Sequence, residues 1–148
     1  MLSRVAENLY WFGRHLERAE NTARLILAYS ELILDLPQRA TVDWYSLVEI
    51  TGSQAAFNDL HVRGTEPGII GFLIDENGNP GSIRQSVAKA RENLRTSRDR
   101  VPREVSETMN NLREYVQTAG PTSIRRTSAR SDFLRGVIDR CQVVRGYI

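Results

Sequence analysis

The polar residues best suited to chemistry in this sequence share one face of its first predicted helix. Guanidinium groups recognise a carboxylate or a phosphate in a planar, bidentate geometry. At 100° per residue, most of these residues fall within about a third of the helix circumference. They are Glu7, Arg14, Glu17, Arg18, Asn21 and Arg24. The stripe is therefore a candidate anion-binding surface.

A second group of the same residue types lies on a later predicted helix. Arg91, Glu92, Asn93 and Arg95 repeat the order of Arg, Glu and Asn seen at 18–24. If the two helices pack side by side, we expect the two groups to interlock as a polar network, in which every buried charge needs a partner. This network is our candidate functional site.

Two other interpretations of these residues remain open. In the first they form solvated faces, with ion pairs such as Arg14 with Glu17 contributing about 0.2–0.5 kcal/mol each. Residue type favours this interpretation, because Arg and Glu are mostly exposed in proteins. In the second, the same side chains line a cleft that holds a carboxylate or phosphate.

Other kinds of site find little support in the sequence. A single cysteine, Cys141, excludes an internal disulfide and a cysteine metal cluster. His15 and His61 stand in no metal-ligand spacing, and no P-loop is present. We expect His15 to lie at the surface and Cys141 to be a small buried hydrophobe. The sequence thus predicts no catalytic residue, no metal and no cofactor, and it favours a protein that is not an enzyme.

Arginines accumulate near the end of the chain. A cluster of this kind is a possible patch for nucleic acid or for an acidic partner. Nucleic-acid binding is not expected, because the aromatic residue interleaved with the arginines, Phe133, is predicted to face the core and the net charge is only +2. The cluster comprises Arg125, Arg126, Arg130, Arg135, Arg140 and Arg145.

Apolar periodicity predicts an all-α domain spanning 1–148, with about six helices of which two are long. The first helix carries apolar residues at steps of three and four and should end near Leu36, because Pro37 follows. Short helices are expected near 44–51, with Gly52 ending the first of them, and near 54–60. A short buried apolar helix is favoured over a strand at 68–75. There is no secretory signal, so a soluble cytoplasmic protein is expected.

The second half of the chain has clear boundary signals. Ser82 followed by Gln85 fits a capping box at the start of a long helix. Pro102 either kinks that helix or begins a new one. The Ser/Thr/Arg-rich stretch 122–130 is predicted to be a loop, with Ser131 or Asp132 capping the last helix.

Several motifs closely resemble those of the bacterial alpha-E family, an all-helical domain named for a Glu-Arg motif. The opening stretch 1–11 carries the resemblance, and Glu17 and Arg18 match the naming motif. Further matches are 13–14, 17–24, 49–53, 72–73, 79–83 and 90–93, so the similarity covers nearly the whole chain. The chain resembles the N-terminal half of a family member, since the second half of such proteins repeats the Gly-Arg-x-Leu-Glu-Arg-Ala pattern.

The resemblance implies a functional setting that composition does not show. Family members occur beside ATP-grasp-type ligases and transglutaminase-like proteins, which suggests a role in peptide ligation or peptide modification by association. The expectation is therefore a non-catalytic helical partner or scaffold module. We also expect a homodimer in which a second copy takes the place of the missing half. No catalytic residue is carried over from the family.

Overall fold

The computed structural model describes residues 2–37 and 43–148, and these contain helices but no strand. There are seven α-helices in this part of the chain. Their bounds are α1 Leu2–Leu34, α2 Tyr45–Ile50, α3 Gln54–Asp59, α4 Glu66–Ile74, α5 Ile83–Arg95, α6 Arg103–Ala119 and α7 Thr127–Gly146. Short 3-10 helices occupy Arg98–Arg100 and Pro121–Ser123. The all-α prediction is confirmed.

The four longest helices form a ring around one hydrophobic core. Helix α1 packs against α5 and α7, and α6 packs against the same two helices from the opposite side. The apolar stripe predicted for α1 faces this core, with Phe12, Leu16, Ala19, Ala23 and Ile26 buried. Burial of such a face is what stabilises a helix of this kind in a folded protein.

The three short helices lie between α1 and α5 in sequence. Helix α4 contacts both α1 and α5. The Thr65 hydroxyl caps α4 by accepting a hydrogen bond from the Gly68 N–H. Ile69, Ile70 and Ile74 are fully buried, so the prediction of a short buried helix at this point is confirmed. None of the helices described in the structure is both long and apolar enough to cross a membrane.

The helix boundaries confirm some of the predicted signals. The Ser82 hydroxyl accepts a hydrogen bond from the Gln85 N–H at 3.1 Å and begins α5 as expected. The Gln85 side chain, however, donates to the Asn77 carbonyl at 2.9 Å, so the capping box is only half formed. Pro102 lies immediately before α6, and α5 ends at Arg95. The proline therefore precedes a new helix and does not kink α5.

The predicted loop at 122–130 is wrong over its second half. Helix α7 begins at Thr127, and Arg130 lies inside it, four residues after the capping position Arg126. The Arg130 guanidinium is buried and donates to Glu66 Oε1 at 2.8 Å and to the Ile124 carbonyl at 2.7 Å. Glu66, 64 positions away, and the nearby Ile124 carbonyl hold a residue whose type indicated a solvated loop. Because the helix already begins at Thr127, neither Ser131 nor Asp132 caps it.

Candidate functional site

The structure contains an open cleft of about 380 Å³ between α1, the end of α2, Leu73 of α4 and the turn before α5. Four of the ten predicted site residues line it: Arg14, Glu17, Arg18 and Asn21. They come from two successive turns of α1, which is why the predicted spacing brings them to one face. The cleft is of a size typical for small-molecule sites.

The charged side chains stand at the mouth of the cleft. Arg14 Nη1 lies 3.5 Å from Glu17 Oε2, and both side chains are about half exposed. An exposed pair of this kind is weak, so the Arg14 guanidinium exchanges this partner for a ligand at little cost. Arg18 contributes a second guanidinium to the same cleft.

A tightly bonded turn forms the floor beside Arg18. The buried Asn79 side chain donates from Nδ2 to the Phe72 carbonyl at 3.1 Å and accepts from the Gly81 N–H at Oδ1 at 3.1 Å. A Cβ on Gly81 would lie 3.9 Å from Arg18 Nη1, so the guanidinium lies beside the glycine. The turn and the Arg18 head group are therefore neighbours in the cleft.

Hydroxyl groups form the opposite wall. Thr51 Oγ1 donates to the Leu47 carbonyl at 2.7 Å and lies 2.7 Å from Ser53 Oγ. Between them Gly52 adopts a φ of 67°, a conformation that favours glycine and ends α2. The predicted role of Gly52 is confirmed, and the two hydroxyls are held at fixed positions beside the cleft.

His15 is half-buried and lines the cleft, so it is less exposed than the predicted surface histidine. Its ring lies 5.9 Å from the Trp11 ring at an interplanar angle of 31°. Burial and the positive charges of Lys89 and Arg18 lower the pKa of His15 below its ordinary value. The imidazole is therefore neutral at pH 7, which leaves it able to accept or to donate a hydrogen bond.

The predicted interlocking of the two polar groups does not occur. Within residues 2–37 and 43–148, no hydrogen bond or ion pair joins the α1 group to Arg91, Glu92, Asn93 or Arg95. Arg91 Nε donates instead to Asn110 Oδ1 on α6 at 2.9 Å. Arg95 pairs with Glu92 one turn away at 3.0 Å. Arg91 thus bonds to α6, while Arg95 and Glu92 pair with each other in the solvent, so these three residues do not meet the α1 group.

The two ends of the α1 stripe also lie outside the cleft. Glu7 is exposed near the beginning of α1. Arg24 Nε donates to Glu20 Oε2 at 2.9 Å on the same helix. The predicted network of ten residues therefore reduces to the four that share the cleft.

The family model described as a predicted alpha-helical domain with a conserved ER motif matches residues 1–148. The chain belongs to the Alpha-E family. Glu17-Arg18 is the one Glu-Arg dipeptide in this Alpha-E sequence. The motif that names the family therefore stands at the mouth of the cleft.

Two curated relatives were found for this Alpha-E chain. They are uncharacterized proteins of Mycobacterium bovis and Mycobacterium tuberculosis, each 26% identical over 128 residues. The match covers 77% of this chain and 14% of each relative, so the chain spans a small part of their length. No solved structure gives a significant match to the Alpha-E chain.

Sequence reasoning missed a buried carboxylate, that of Glu20, on the face of α1 opposite Arg18. Glu20 is only 3% exposed, and its Oε2 accepts from Arg24 and from Arg145 of α7, each at 2.9 Å. The available signal was its position between Ala19 and Ala23, which are both buried on the apolar stripe of α1. Burial and the nearby Glu20 charge raise the pKa of Cys141 to about 12, and this cysteine is buried as predicted.

Proposed function

We propose that this Alpha-E chain binds a small acidic ligand in the α1 cleft, through the carboxylate or phosphate of a peptide or nucleotide. One observation carries the proposal: the Glu17-Arg18 motif lines an open cleft instead of a helix interface. Two guanidiniums within one cleft favour an anion, since each charge-assisted hydrogen bond to a carboxylate or phosphate is strong and directional.

The walls of the cleft support a ligand that also carries an apolar group. Trp11 is 45% exposed and Ile50 is 64% exposed, and both line the same cleft as the arginines. Apolar surface beside a few polar groups is the usual composition of a ligand site. An amino acid, a short peptide or a nucleotide has both parts, whereas a bare inorganic anion has only one.

Replacing Arg18 with glutamine is expected to weaken ligand binding by about tenfold or more, because one charged hydrogen bond contributes about 1.5–3 kcal/mol. The measurement is a thermal-shift panel of nucleotides, amino acids and short peptides, followed by titration calorimetry of any compound that stabilises the protein. The fold of the variant is checked by circular dichroism.

Arg95→Gln is the matched control for this experiment. It removes the same charge from the α5 stripe, where Arg95 is exposed and pairs only with Glu92. We expect the control to bind the ligand as the unmodified protein does. An equal loss of ligand affinity in both variants, or no thermal shift with any compound in the panel, would show that the cleft is not a ligand site.

We also infer a second role, as a helical partner module in ATP-grasp-type peptide ligation or peptide modification in the cytoplasm. The family resemblance supports the setting, and exposed apolar residues at the end of α1 support docking. Leu32 is 56% exposed and Leu34 is 73% exposed. Partners of this kind are an ATP-grasp-type ligase, a transglutaminase-like protein or a second copy of the chain.

A homodimer is the simplest form of this partner role. Sedimentation velocity at micromolar concentration is expected to show a dimer, because the exposed leucines gain from burial against a second copy. A Leu32→Gln/Leu34→Gln variant should then sediment as a monomer. A monomeric unmodified protein at these concentrations would contradict the proposed homodimer.

A further inference from the structure

We propose that a second anion site, specific for a phosphate-bearing small molecule, lies in the basin between the beginnings of α4 and α7. The basin has a volume of about 700 Å³ and is lined by Arg63, Arg125 and Arg126. Every charged residue in its lining is an arginine, and Thr65 and Thr122 add hydroxyl groups. This site is separate from the α1 cleft and does not depend on the function proposed for that cleft.

Three arginines line the basin without an acidic partner. None of the ion pairs found among residues 2–37 and 43–148 includes Arg63, Arg125 or Arg126. The nearby carboxylate of Glu66 is already engaged by the buried Arg130 at 2.8 Å. All three arginines are exposed, and three positive charges around one concave surface attract an anion.

The beginning of α7 adds to the positive potential. Helix α7 has 20 residues, begins directly after Arg126 and carries no acidic residue in its first turn, Thr127–Arg130. The N–H groups of a first helical turn and the helix dipole favour an anion at this end. Thr65, Pro67 and Gly68 at the start of α4 line the same basin, but the Gly68 N–H is bonded to Thr65 Oγ1 and Glu66 lies in that first turn, so α7 supplies the helix end that favours an anion.

The rest of the predicted arginine cluster does not extend the basin into a continuous basic surface. Arg135 pairs with Glu31 at 2.6 Å and Arg145 pairs with Glu20 at 2.9 Å. Arg140 lies 3.8 Å above the Tyr115 ring and donates to Asn111. A nucleic acid needs a long track of free cations, whereas this basin is compact. Arginine forks and helix N-termini both suit phosphate.

The test uses pyrophosphate as the probe and citrate as a carboxylate of similar charge, at matched ionic strength. We expect saturable pyrophosphate binding by titration calorimetry, with amide NMR shifts at Gly68, Thr127 and Ser128. The Arg125→Gln/Arg126→Gln variant should bind about 100-fold more weakly, since each charged hydrogen bond is worth about tenfold. The Arg18→Gln variant should keep the shifts at these three amides.

Arg4→Gln/Arg98→Gln is the control that removes two positive charges at exposed positions elsewhere. It should bind pyrophosphate within about twofold of the unmodified protein. The proposal is overturned if this control loses affinity as severely as the basin variant, if the amide shifts appear only around Gly81 in the α1 cleft, or if citrate binds as tightly as pyrophosphate. Failure of the α1 cleft to bind any ligand would leave these outcomes unchanged.

Discussion

Replacing Arg130 with alanine is expected to lower the free energy of unfolding by about 3 kcal/mol. The side chain is buried, holds Glu66 and the Ile124 carbonyl, and lies 5.9 Å from the Trp44 ring centre. Its removal leaves a cavity and an unpaired carbonyl. The Glu66 side chain is 41% exposed and regains water, so the loss falls short of that for a wholly buried pair.

Urea denaturation followed by circular dichroism measures this loss, and Arg135→Ala is the matched control. Arg135 lies on the same helix and pairs with Glu31, but both side chains are more than half exposed. The control should lose about 0.5 kcal/mol or less. Arg130→Met, which fills most of the volume, should still lose about 2 kcal/mol because the Ile124 carbonyl stays unpaired. If Arg130→Ala loses no more than Arg135→Ala, the buried arginine does not stabilise the contact of α7 with α4.

Replacing Gly136 with alanine should destabilise the fold by about 2 kcal/mol, although alanine is the better helix former. A Cβ at this position would lie 2.6 Å from Tyr115 Cζ, and the tyrosine cannot easily move aside. Its ring stacks on Phe133 at 5.4 Å, and Arg140 lies 3.8 Å above it. The glycine is what allows α6 and α7 to approach each other here.

Gly146→Ala provides the comparison in the same helix, because a Cβ there meets no heavy atom within 4 Å. It should be neutral or slightly stabilising, by up to about 1 kcal/mol. Thermal and urea denaturation of both variants, and of Gly136→Ala combined with Tyr115→Ala, complete the test. When Tyr115→Ala is already present, adding Gly136→Ala should not lower the free energy of unfolding any further. A cost that persists without the tyrosine would mean that the clash has another source.

Periodicity and capping predicted the elements of this fold well because both depend on residues close in sequence. The apolar stripe of α1, the cap at Ser82 and the glycine at the end of α2 are local signals, and the structure confirms each of them. The beginning of α7 escaped prediction because it depends on the contact of Arg130 with Glu66, which is 64 positions away.

The candidate site was predicted in composition but not in arrangement. Spacing alone brought Arg14, Glu17, Arg18 and Asn21 to one face of α1. Arg91 on α5 bonds to Asn110 on α6, which is distant in sequence. The predicted interlocking with the α1 group therefore does not form. The floor at Asn79 and Gly81 and the wall at Thr51 and Ser53 come from segments distant in sequence. The family motifs include both segments, but no spacing pattern indicated that they meet α1.

The middle of α1 separates the open cleft from the buried contact with α7. On one side Arg18 faces the open cleft, and two residues later Glu20 is sealed against α7 by Arg145. A helix is only about 10 Å across, so the two side chains are anchored in the same turn of backbone. The turn of α1 that presents Arg18 to the cleft is therefore also the turn to which Arg145 of α7 is bonded through Glu20, so a substitution that breaks the Glu20–Arg145 pair removes a support from the same segment that carries the cleft residues.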